Sequence, residues 1–164
     1  MKKICSFGAV ALLSLMGCSE QNPRVATRLN QGAALLGELP SIPLQWKVIT
    51  SAINKQDSTM YTLFGNDVAV QYARTNSQHE YPDGSMLSLV VWTQQEDSRW
   101  FGGRIPAAPK SVEFVSVRVG AGHRPIYSYQ GFEGAPLKKV LAQEGSTPNE
   151  RAVYLLSQRA AVMP

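Results

Sequence analysis

Val112-Glu113-Phe114-Val115-Ser116-Val117-Arg118-Val119 is the stretch that decides the class of this fold. Its second half alternates in side-chain character with a period of two, the pattern of a strand with one face on a core and the other toward water. Valine recurs through it, and β-branched side chains suit a pleated, half-buried surface. Upstream, Met86 to Thr93 is an apolar run of strand length that ends around Trp92, and the two runs need a common core. Between them, Arg104 to Lys110 carries Pro106 and Pro109 and reads as a loop or edge segment, because proline brings no N–H to a ladder. Downstream, Gly120-Ala121-Gly122 breaks the strand and Ile126 to Phe132 supplies an aromatic one.

The N-terminal half adds Trp46-Lys47-Val48-Ile49-Thr50 and Met60-Tyr61-Thr62-Leu63-Phe64 as strands about a turn at Asn54 to Ser58. Asp67 to Arg74 fits one or two helical turns capped by Asn66 or Asp67. Tyr81-Pro82-Asp83-Gly84 is a turn by composition. Thr147-Pro148-Asn149-Glu150 has capping-box spacing with proline at the first helical position, and predicts a helix from about Pro148 to Ala161. Before Pro40 and Pro43, which demand extended chain, Val25, Leu29, Leu35 and Leu36 recur at roughly helical spacing and predict a short amphipathic helix ending near Gly37. Strands outnumber helices and do not alternate with long ones, so the expected class is α+β: one domain, an antiparallel sheet with flanking helices.

At the N-terminus, Met1-Lys2-Lys3 precedes an apolar run from Ile4 to Met16, closed by Leu15-Met16-Gly17-Cys18-Ser19. The run is shorter than the roughly 20 residues of a membrane span and a polar stretch follows at once, as in a removed signal. The Leu-x-Gly-Cys order resembles the lipobox of bacterial lipoproteins. The expectation is a signal peptide over 1–17, a lipid-carrying Cys18 followed by a tether and short helix over 18–43, and a folded domain over 44–164. Ser19 after the cysteine lacks the aspartate associated with inner-membrane retention, so the expected address is the envelope, on the periplasmic face of the outer membrane. The cysteines are Cys5 and Cys18. With one removed and the other lipidated, the mature chain has no disulfide and rests on its core.

Charge excludes one class of partner. The chain has 16 Lys+Arg against 12 Asp+Glu, and without Lys2 and Lys3 the balance is 14 against 12. No basic run tracks a phosphate backbone, so nucleic acid is set aside. His79 and His123 are the two histidines and neither has metal-ligand spacing, so no metal site is expected. No serine sits in a Gly-x-Ser-x-Gly elbow, and no catalytic residue is assigned. Asp67, Asp83 and Glu113 are isolated acids, read as solvating or capping groups.

The middle of the chain is more specific. Trp46-Lys47-Val48-Ile49, then Met60 to Phe64 with Gly65-Asn66-Asp67-Val68-Ala69, then Tyr81-Pro82-Asp83-Gly84-Ser85-Met86-Leu87 leading to Trp92, resembles the cytochrome P-460 family over about residues 44 to 164. The resemblance implies the fold of a c-type heme protein, attached through a Cys-x-x-Cys-His near the C-terminus with the histidine as axial ligand. Here that motif is absent. The register implied by the resemblance sets Val153 and Leu156 at the two cysteine positions and Ser157 at the histidine.

A covalent c-type heme is excluded whatever the register, because the mature chain is expected to have no cysteine besides the lipidated one, and no cofactor is expected. The favoured function is a membrane-tethered, non-catalytic binding or interaction domain, its partner an envelope protein or a small apolar ligand. The alternative is non-covalent heme, with His79 or His123 as axial ligand, in an oxidoreductase or gas sensor of nitrogen-oxide or hydroxylamine metabolism. On the favoured reading Val153 and Leu156 point toward the sheet near the strand ending at Trp92. Tyr127, Tyr129, Phe132 and Tyr154 are then available to fill the space that heme takes in relatives.

Overall fold

The computed structural model describes residues 30–75, 80–120, 122, 124–141 and 146–161. Six strands form one antiparallel sheet in chain order: β1 (Lys47–Asn54), β2 (Thr59–Gly65), β3 (Met86–Glu96), β4 (Arg104–Val119), β5 (Pro125–Glu133) and β6 (Lys138–Val140). Two helices join them, α1 (Asp67–Thr75) and α2 (Pro148–Ser157). This is an α+β domain with a simple meander. Met86–Trp92 and Val112–Val119 lie in adjacent strands, with Leu87 opposite Val115 and Leu89 opposite Glu113.

Alternation sorts the side chains into two layers. On one face Leu63, Leu87, Leu89, Val115 and Val117 join Ile49, Ala69, Val70 and Tyr81 beneath α1 and α2. On the other, Phe64, Val90, Trp92, Val112, Phe114 and Phe132 make an aromatic layer. Phe114 meets Trp46 and Phe132 edge-on, at ring-centroid distances of 6.2 and 5.8 Å.

Among the described residues no α-helix covers the aromatic layer. A strap from Asn30 to Trp46 does so, laying Ala33, Leu35, Leu39 and Trp46 on it. Trp92 Nε1 donates to the Ala33 carbonyl at 3.0 Å. The Leu137 N–H donates to the Leu36 carbonyl at 2.7 Å, beside a parallel bridge between Gly37 and Leu137. The expected amphipathic helix ending near Gly37 is therefore not found where described: Gln31–Ala33 forms one 3-10 turn and the chain then extends. Helix propensity at Gly32 is poor, and Leu35 and Leu39 gain more by lying on the sheet as extended chain. The packed unit thus includes residues 30–43. Val25 and Leu29 lie outside the described residues.

Other expectations need adjustment. Arg104 to Lys110 is the first half of the 16-residue strand β4. Its prolines are accommodated because this half pairs with β3 alone, β5 joining only from Ser111. It is an edge, where a missing N–H breaks no second ladder. Register shifts flank Trp92 opposite Pro109. The Pro82 turn is displaced by one residue: the Ser85 N–H donates to the Pro82 carbonyl, and Gly84 takes the positive φ of +79°. Helix α2 has the expected capping box at Thr147 but stops at Ser157, where Ser157 Oγ and Gln158 Nε2 satisfy the Tyr154 carbonyl. The chain then returns to β1 through the Ala161 N–H on the Ile49 carbonyl. Strand β6 was not expected.

Candidate functional site

The most pointed chemistry lies under α2. Glu113 projects from β4 into the helix-side core and is 0% exposed. Burying a carboxylate is costly unless it is paired and hydrogen-bonded. Here Arg151 Nη2 donates to its Oε1 at 2.7 Å and Arg151 Nε to its Oε2 at 2.9 Å, a bidentate fork. The Tyr129 hydroxyl donates to Oε2 at 2.9 Å. Glycine makes room for this: Gly131 is the cross-strand partner of Glu113, and a Cβ there would lie 3.1 Å from the Tyr129 hydroxyl oxygen.

The neighbours feel the charges. The hydrogen bonding that Arg151 donates to Glu113 raises the Arg151 pKa. Burial, then the Glu113 charge, pushes the Tyr129 phenol well above its ordinary range. Tyr154, stacked at 4.7 Å beneath the Arg151 guanidinium, is raised by burial and then by Tyr61. Tyr129 and Tyr154 thus stay protonated at neutral pH. No vacant base faces solvent in this cluster; it is a polar rivet holding α2 to the sheet. The isolated Glu113 of the sequence reading is consequently no solvating residue. Asp83 and Asp67 do act as such: Asp83 Oδ1 accepts from the Val119 N–H at 2.8 Å, and exposed Asp67 pairs with Lys47.

Helix α2 carries the segment expected to replace heme attachment, and its orientation corrects part of that expectation. The inward pair is Ala152 and Leu155, the latter 0% exposed. Successive helical residues are about 100° apart, so with Arg151, Ala152 and Leu155 inward, Val153 turns out and is 59% exposed. Leu156 is half-buried against the helix-side core, whereas Ser157 is exposed. Phe132 and Trp92 belong to the opposite face, so neither fills space beneath α2. Tyr127 and Tyr129 do pack there, and Tyr154 stays partly exposed. His79, His123 and Cys18 lie outside the described residues.

The chain does not fit a covalently attached heme. After Cys18 it has no cysteine to form a thioether, and the three positions set at the attachment motif point in different directions on α2. Among the described residues no three His, Cys, Asp or Glu side chains converge on a metal position. No helix among them is long and apolar enough to cross a membrane.

On the strap side an open groove of about 620 Å³ runs between the strap and the β5–β6 edge. Leu39, Pro40, Phe132, Pro136 and Leu137 give it an apolar floor, and Lys138 and Lys139 stand on its rim. Sequence reasoning missed both the groove and the rivet. The groove depends on where the strap crosses the sheet, and the rivet joins residues 38 positions apart.

No curated protein matches the chain. The Cytochrome P460 family model matches residues 44–145, which run from the end of the strap through β6 and so take in all six strands and α1. By that match, the chain belongs to the cytochrome P460 family.

Proposed function

We propose that this protein is a lipid-anchored envelope lipoprotein whose cytochrome P460 domain acts as a non-catalytic binding or interaction domain without covalently held heme. The observation that carries the reading is the state of α2. The helix standing where attachment is expected has no cysteine, and it is riveted to the sheet by the Arg151–Glu113 fork over a packed Ala152–Leu155 face. A filled interface of this kind supports a scaffold better than a redox site on that face. The groove beside the strap offers the alternative surface: an apolar floor suits a small apolar ligand, with Glu38, Lys138 and Lys139 as charged groups along it. Anchoring follows from the Leu15-Met16-Gly17-Cys18 pattern, which would place the mature N-terminus at Cys18 in the membrane, by expectation the outer one.

The test is spectroscopic. Protein purified from a heme-replete periplasm should show no heme absorbance near 400 nm and a negative pyridine hemochrome assay. A stoichiometric hemochrome would overturn the reading in favour of non-covalent heme, and loss of that signal on replacing His79 or His123 would name the ligand. The anchor is tested separately: radiolabelled palmitate should enter the wild-type chain and not Cys18→Ala, and labelling that persists in the variant refutes the assignment.

A further inference from the structure

The β3–β4 hairpin runs beyond the rest of the sheet. Strand β2 accompanies β3 only as far as Thr93, and β5 accompanies β4 only from Ser111. Gln94 still donates from its N–H to the Ser58 carbonyl, and beyond it the pairs Gln95–Ile105 and Glu96–Arg104 continue with no strand on either side, adding roughly 7 Å of two-stranded finger before its turn. At the turn stand Trp100, 75% exposed, and Phe101, fully exposed. Neighbouring large aromatics both left in water at a projecting tip gain nothing from folding and offer apolar area to an external partner.

Three features favour a bilayer over a protein cleft. First, part of the tip's backbone is internally paired: the Asp97 N–H donates to the Gly103 carbonyl, Trp100 N–H to that of Asp97, and Gly103 N–H to that of Trp100. Asp97 Oδ1 also accepts from the Arg99 N–H at 2.9 Å. Such a turn enters a low-dielectric interface without stripping water from those backbone groups. Second, its charges are matched, Arg99 with Asp97 at 3.4 Å and Arg104 with Glu96 at 3.6 Å, so the finger is neutral and presents apolar surface rather than a field. Third, the described chain begins at the same place. Asn30, where the described chain begins, donates from Nδ2 to the Pro106 carbonyl at 2.6 Å, at the finger's base. The residues from Cys18 to Asn30 span at most roughly 40 Å fully extended, so a lipid on Cys18 would lie within that reach of the finger's base.

We propose that Trp100 and Phe101 form a second membrane contact, inserting into the lipid headgroup–acyl boundary and docking the domain by its β3–β4 finger. The contact rests on the lipid-anchor reading given above, because the anchor supplies the local membrane. Tryptophan favours that boundary, with an apolar body and one polar N–H.

The chain's three tryptophans permit a direct test, since Trp92 is buried and Trp46 half-buried, leaving Trp100 as the exposed emitter. The full-length protein, its acylation checked by intact-mass spectrometry, is mixed with phosphatidylcholine vesicles carrying brominated acyl chains and compared with unbrominated ones. Bromine should quench the part of the emission that Trp100→Phe removes, and high salt should leave the quenching unchanged. Phe101→Ser should cut it to less than about half, one of the two inserting side chains being gone; both substitutions are at exposed turn positions and should leave the circular dichroism unchanged. Acylated protein whose Trp100 emission is not quenched overturns the finger and leaves the anchor standing. A blue shift without quenching also overturns it, in favour of contact between copies of this chain. If no acyl chain is found the anchor reading falls, and the finger stands or falls on whether the unacylated protein still shows the quenching.

Discussion

Replacing Arg151 by alanine removes both guanidinium bonds from a carboxylate that is 0% exposed, leaving the Tyr129 hydroxyl as its hydrogen-bond donor among the described residues. Breaking a buried ion pair from one side costs about 3–5 kcal/mol, because the remaining charge keeps its desolvation penalty without its partner. The Arg151 side chain retains 20% exposure, so water can follow the truncated residue, and the lower end, about 3 kcal/mol, is expected. Against a total stability of about 5–15 kcal/mol this is a large fraction, and for a domain of this size it lowers Tm by about 10 °C. Urea denaturation followed by circular dichroism measures it, with the midpoint falling and the slope unchanged. The double variant Glu113→Leu/Arg151→Met, which removes both charges and keeps the volume, should recover to within about 1 kcal/mol of wild type. A loss below about 1 kcal/mol in Arg151→Ala, or a double variant less stable than the single one, would refute the rivet.

Gly37→Ala should detach the strap, because φ is +152° there and a Cβ would run into the Leu137 carbonyl; limited proteolysis of residues 30–46 should accelerate. Thr147→Ala removes the N-cap of α2 and should cost about 1 kcal/mol in urea denaturation. The hydrogen bonds from Thr147 also hold Glu150 below the ordinary carboxylate range, so that arm of the cap is present above the unfolded-state pKa and is lost as pH falls through the lowered folded value, measurable as α2 fraying under acid. At the alkaline end, burial and then Tyr72 raise Tyr81 from 10.0 to about 12. The folded state then holds a proton that the unfolded chain releases, so stability declines from about pH 10 toward pH 12. Tyr81→Phe should flatten that decline, and an unchanged pH profile in the variant would show that other groups carry it.

The alternation of Val115 to Val119, the apolar run of Met86 to Thr93 and the Thr147-Pro148-Asn149-Glu150 capping box were enough to place two central strands and the start of α2, because each depends on local periodicity or on hydrogen bonds three residues apart. The expectation of no thioether-held heme rests on the same kind of reason, since a thioether requires a cysteine sulfur and the sequence has none after Cys18. Residues 30–39 were beyond that reach: their apolar spacing fits a helix, and only the exposed aromatic layer of a finished sheet makes the extended strap the better burial. Val153 shows the same limit, for its direction depends on which face of α2 the Glu113–Arg151 fork turns inward. Glu113 itself, an isolated acid in the sequence, acquires its role from Arg151, 38 residues away, and from the gap at Gly131 that admits Tyr129. Local hydrogen bonding and periodicity are written in adjacent letters, whereas pairing across a sheet and the choice of buried face arise from contacts that exist only once the chain has closed on itself.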